Sequence, residues 1–159
     1  MAGLEMIAEK QTAPSVFQVL LVRVGGMLAC MDLHSVERTF SLVALQVVPG
    51  GAPYVAGIMN LAGKSVPVID LAIRMGLPSL SYGLDTPIVV CVHGDHRVGV
   101  IVTDIIGIHD LHEHDQQLSR EFGQHDEAFR ASVHTSMGLA LLLDTAWLAK
   151  SGLYQDRAD

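Results

Sequence analysis

Apolar residues in this chain come in short runs divided by glycine, proline and small polar clusters, the pattern of strands and turns. Phe17 to Val24 and Met27 to Leu33 predict two strands joined at Gly25-Gly26, a hairpin whose turn tolerates positive φ. His34 to Arg38 leads away from it, and Val43 to Val48 predicts a short strand ending at Pro49. Pro49-Gly50-Gly51-Ala52-Pro53 reads as a loop. A second hairpin follows, Val55 to Leu61 and Ser65 to Leu71 around Ala62-Gly63-Lys64, with Pro67 implying an edge strand or a bulge. Asp70 is placed to cap a helical turn over Leu71 to Met75, stopped by Gly76 and Pro78. After a loop to Thr86, Ile88 to Val92 and Val98 to Ile106 predict strands apolar on both faces. His109 to Glu127 is polar and acidic and reads as a surface segment. Gly138 to Leu143 is the last predicted strand, and Asp144 would cap a closing helix through Trp147 and Leu148, with Lys150 in its last turn. Residues 1–15 and 151–159 read as flexible tails around one domain, 16–150.

Each half holds about five short strands, which suits two small barrels sharing a core. The hairpin adds a more specific signal. Gly57, Asn60, Leu61, Gly63, Pro67, Val68, Ile69, Asp70 and Leu71 fall in order on the pattern G-x-x-N-L-R-G-x-x-x-P-[VIL]-[VIL]-D-L, and on these residues the chain resembles CheW-like domains. The departure is Ala62, where that family usually has Arg. The resemblance implies two packed five-stranded SH3-like barrels with short helices. It also implies a non-catalytic, cofactor-free adaptor that joins chemoreceptor cytoplasmic tips to the regulatory domain of a CheA-type histidine kinase. Carried onto this sequence, the partner-facing positions are Val36 and Arg38, then Ile58, Asn60, Leu61, Ala62, Gly63 and Lys64 on the hairpin, with Val98 and Gly99 in the second half. Many family members pair the Arg with a Glu aligned near Arg38. Here the two positions are Arg38 and Ala62, so that pair cannot form, which implies altered partner preference.

Composition narrows the alternatives. A chain of 159 residues is long enough for a core without disulfides. The formal charge of −7 and the absence of a Lys/Arg cluster disfavour nucleic acid. Apolar runs fall short of the roughly 20 residues a membrane helix needs, and Glu5, Glu9 and Lys10 interrupt the N-terminus, so a cytoplasmic protein without direct membrane insertion is expected. Cys30 and Cys91, inside apolar runs, read as buried reduced thiols. His109, His112, His114 and Asp115 could ligate zinc, but a solvated acidic segment is the favoured reading and no metal site is assigned. No nucleophile elbow surrounds Ser35, Ser65, Ser119 or Ser136, so no catalytic residue is assigned. The competing reading is a stand-alone ligand- or metal-binding module on the same barrels.

Overall fold

A computed structural model describes residues 16–78, 80–112, 115–118 and 128–150. The expected tails, 1–15 and 151–159, lie outside the described residues, as do His114, Ser119 and most of the acidic segment. Strands β1 (Val16–Val24) and β2 (Met27–Asp32) form the first hairpin, and a single 3-10 turn (Leu33–Ser35) leads into β3 (Val36–Ser41). The signature hairpin is β4 (Val55–Leu61) and β5 (Lys64–Asp70), followed by α1 (Leu71–Arg74). Then come β6 (Pro87–His93), β7 (His96–Ile101), β8 (Asp104–His112), β9 (Gln116–Leu118), β10 (Phe129–Thr135), β11 (Gly138–Leu143) and α2 (Thr145–Lys150).

Two sheets result, ordered β8-β1-β2-β11-β10-β9 and β3-β6-β7-β5-β4. Each is antiparallel except for one parallel seam, β2 with β11 and β5 with β7. Period-two alternation then explains why the runs are apolar on both faces. In β1, Val19 and Leu21 enter the curve of the first sheet while Leu20, Val22 and Val24 face the second. In β6, Ile88 and Val90 fill the second sheet's interior while Val89 and Cys91 join the same shared layer. Three apolar layers follow, one inside each curved sheet and one between them, closed by Leu148 and Ala149 of α2. The expectation of a mostly β, two-lobed fold stands, with six described strands in one lobe and five in the other.

Several boundaries differ from the sequence reading. Val43 to Val48 is not a strand; only Gln46 forms an isolated bridge, to Ile58, and Val47 is exposed. The strand lies just upstream, β3, whose outer-edge position allows the polar residues Glu37, Arg38, Thr39 and Ser41. Val98 to Ile106 is divided: β7 ends at Ile101, and β8 starts at Asp104 in the other sheet, paired with β1. His109 to His112 therefore belong to β8 rather than to a surface loop, and β10 was not foreseen. Pro67 lies within an inner strand, not an edge. It is accommodated because the β5–β7 ladder begins only at Val68, leaving Pro67 paired on the β4 side alone.

Both caps form as expected. Asp70 Oδ1 accepts the Ile73 N–H at 3.2 Å, and Asp144 Oδ1 accepts the Trp147 N–H at 2.9 Å. Asp70 is buried and also accepts the Tyr82 hydroxyl at 2.6 Å, so it serves the fold rather than a partner groove. Among the described residues no helix is long and apolar enough to cross a membrane.

Candidate partner-binding surface

The β4–β5 turn is fixed by its own backbone. Leu61 pairs with Lys64, and the two residues between them both have positive φ, Ala62 at 51° and Gly63 at 84°. A two-residue turn of that hand matches the twist of the strands it joins. Gly63 adopts it without penalty; Ala62, the one non-glycine with positive φ among the described residues, carries a strain of about 1 kcal/mol. Asn60 offsets part of this by accepting the Gly63 N–H on its side-chain oxygen at 2.9 Å. Asn60, Ala62, Gly63 and Lys64 are exposed, Ile58 is half-buried, and Leu61 packs against the interior of its sheet.

The base of this hairpin is clamped from outside. Gln46 and Ile58 exchange two backbone hydrogen bonds, of 2.9 and 2.8 Å, which occupy the outer edge of β4 at that point. Gly57 sits at a bulge in β4 with φ 155°, and an added Cβ there would lie 2.7 Å from the Gln46 carbonyl oxygen. Gly57 is thus required by close backbone approach, and the tip projects from a stiff support.

Val36 and Arg38 lie on β3, at the other edge of the same sheet. Val36 is half-buried against the shared layer, while Arg38 is exposed. Its neighbour Glu37 is committed elsewhere: its carboxylate is 3.1 Å from Arg97 Nε on β7 and 3.9 Å from Arg38 Nε. That pair was missed in the sequence because its members are 60 positions apart, with nothing local to link them. Val98 and Gly99 need correction as contact residues. Val98 is 0% exposed in the layer between the sheets, and Gly99 is buried against Ile88, Val68 and Met59. A Cβ added there would meet the Ile88 and Val68 methyl groups at 3.2 Å and the Met59 methyl at 3.4 Å, so any side chain at 99 would press into the core rather than reach a partner. The structure therefore gathers Asn60 through Lys64 at one tip with Ile58 at its clamped base, holds Val36 and Arg38 at the opposite edge strand, and places Val98 and Gly99 inside.

The remaining polar chemistry is internal. Ser35 donates its hydroxyl hydrogen to the Asp32 carbonyl at 2.7 Å, so the Thr145 hydroxyl, 3.2 Å away, donates to Ser35. That leaves Thr145 Oγ1 as the acceptor for His93 Nε2 at 2.7 Å and fixes the neutral tautomer. Burial, aided by Lys150, holds the His93 pKa below its ordinary value. This chain ties the 3-10 turn, β6 and α2 together where the sheets meet. Burial pushes the thiols of Cys30 and Cys91 up to about 12, which removes them as nucleophiles. His109 and His112 are three apart on β8, and strand alternation sends them to opposite faces.

A family model described as the CheW-like domain matches residues 18–152. The chain is 25% identical over 128 residues to the chemotaxis protein CheW of Thermotoga maritima, covering 80% of this chain and 84% of that one. It is 37% identical over 79 residues to the chemotaxis protein CheW of Bacillus subtilis, a match spanning 50% of this chain and about half, 51%, of that relative. The crystal structure of the scaffolding protein TtCheW from Thermoanaerobacter tengcongensis superimposes with a TM-score of 0.72 at 21% identity, over 82% of this chain and 90% of that one. CheW-family proteins are non-catalytic scaffold adaptors. With the match running from β1 through α2, the chain belongs to the CheW-like domain family.

Proposed function

We propose that this protein is a cytoplasmic adaptor coupling methyl-accepting chemoreceptors to the regulatory domain of a CheA-type histidine kinase. The observation that supports this reading is the presentation of two exposed features, the β4–β5 tip and the β3 edge, at opposite edges of one sheet. An adaptor has to hold two partners at a fixed separation, and a shared core between two sheets supplies that rigidity. Exposed backbone at strand edges and half-buried aliphatics suit protein partners rather than small ligands.

The partner preference follows from Arg38 and Ala62. With Glu37 engaged by Arg97, no carboxylate on β3 is left to recreate the family's pair, and Lys64 stands without the Arg that would normally precede it in the turn. A partner evolved for Glu and Arg at these positions meets a reversed charge at one and a missing charge at the other. The chain should bind its own cognate kinase and receptor at least tenfold more tightly than a general chemotaxis pair, a difference of about 1.4 kcal/mol. The double change Arg38→Glu, Ala62→Arg should narrow or reverse that ratio, read by calorimetry against both sets. Equal affinities of both proteins for all partners would remove the specificity argument.

A further inference from the structure

A groove with no role so far lies on the six-stranded sheet. The parallel seam sets Leu28 beside Ala140, which brings the β1–β2 and β10–β11 turns side by side at one end of the sheet. Between them is a cavity of about 330 Å³ lined chiefly by Arg23, Met27, Leu28, Met137, Leu139 and Leu141. Met27 is 38% exposed, Met137 47% and Leu139 48%, so three of the large apolar side chains left in solvent converge on this place. Thioether side chains are flexible and polarizable and adapt to varied apolar shapes.

We infer that this groove is a docking site for an amphipathic helix of a partner protein, carrying an apolar stripe and a carboxylate beside it. Two observations select that occupant. The floor belongs to β2 and β11, each already paired on both sides, so an extended peptide would find no free ladder to join. A helix satisfies its own backbone and binds through side chains alone, which is what this floor offers. The carboxylate is required by Arg23, which lines the groove and makes no ion pair among the described residues. Its backbone is fixed, because its carbonyl accepts the Thr103 N–H at 2.8 Å. Half-buried beside the groove, with Asp104 opposite it on β8 but no ion pair formed, Arg23 gives this part of an otherwise acidic chain a cation for a ligand carboxylate to meet. The inference stands on this groove alone and is independent of the kinase and receptor reading.

The test uses the full chain and a displayed library of 16-residue helical peptides with one randomised face. Selected peptides are expected to carry apolar residues at i, i+3 or i+4 and i+7, with Asp or Glu next to the stripe. Their affinity should fall at least tenfold against the double variant Met137→Lys, Leu139→Lys. Both positions are exposed, so that variant should keep its melting temperature. Against Arg23→Glu, the library should instead enrich Lys or Arg in place of the acidic residue. Failure to enrich any helical sequence would overturn the proposal, as would enriched peptides that bind the double Lys variant equally or keep their acidic residue against Arg23→Glu. Self-association of the unmodified protein in sedimentation, abolished by the same two lysines, would also overturn it by assigning the groove to a second copy.

Discussion

Gly57→Ala should be among the most damaging single changes in this protein. The new Cβ would lie 2.7 Å from the Gln46 carbonyl oxygen and 2.9 Å from Leu45 Cβ, at a φ of 155° that L-residues rarely adopt. Backbone cannot yield as a flexible side-chain tip would, so relief requires the segment holding Gln46 to move off β4. The two Gln46–Ile58 hydrogen bonds are then strained or lost together with the bulge. A destabilisation of about 2–4 kcal/mol is expected, a drop of roughly 5–15 °C in the melting midpoint. Gly63→Ala is the internal control. Nothing lies within 4 Å of its added Cβ, so only the positive φ costs, about 1–2 kcal/mol. Melting curves that place the two variants together, or Gly63→Ala lower, would show that close approach at Gln46 is not what demands the glycine.

Asp70→Ala should come next in effect. The carboxylate is buried, caps α1 through Ile73 and accepts the Tyr82 hydroxyl, so removing it leaves a helix start uncapped and a phenol without its acceptor. Cap loss costs about 1 kcal/mol, and the second lost bond brings the total to about 2–3 kcal/mol. The same contact has a spectroscopic signature. Burial first, and then the Asp70 hydrogen bond and charge, hold the Tyr82 pKa well above its ordinary value of 10.0. In the unfolded chain Tyr82 would ionise near its ordinary value, so its contribution is intact below pH 10 and lost as pH rises through the folded pKa. An ultraviolet titration of the phenolates should show Tyr82 ionising late in the natural protein and earlier in Asp70→Ala. An unchanged titration would mean that Asp70 does not hold the phenol.

The parts of this fold that were legible in sequence are those with local causes. The turn at Gly63, the caps at Asp70 and Asp144, and the strands β1, β2, β6 and β7 all announce themselves within a few residues. The errors share a different origin. β3 is polar because its outer edge is solvated, so Val36 to Ser41 resembled a connector, while the more apolar Val43 to Val48 looked like the strand. In β10, Phe129, Ala131 and Val133 alternate with Arg130, Ser132 and His134, a readable period that the polar segment before it obscured. Val98 shows the deeper limit for site residues. In a strand apolar on both faces, alternation does not distinguish a position facing a partner from one facing the second sheet. Only the packing of the two sheets decides that, and it decides for the interior.

The claim at the centre of this account is that one rigid chain joins two proteins. The direct measurement is a bridging assay, in which a receptor cytoplasmic-tip fragment is recovered on an immobilised kinase regulatory domain with and without this protein. Recovery should rise severalfold when the protein is present. It should fall back with the double change Ala62→Glu, Lys64→Glu, which alters only exposed tip residues and should leave the melting curve within a few degrees of the natural one. Receptor recovery that is the same with and without the protein, while each partner is shown to be folded, would contradict the account.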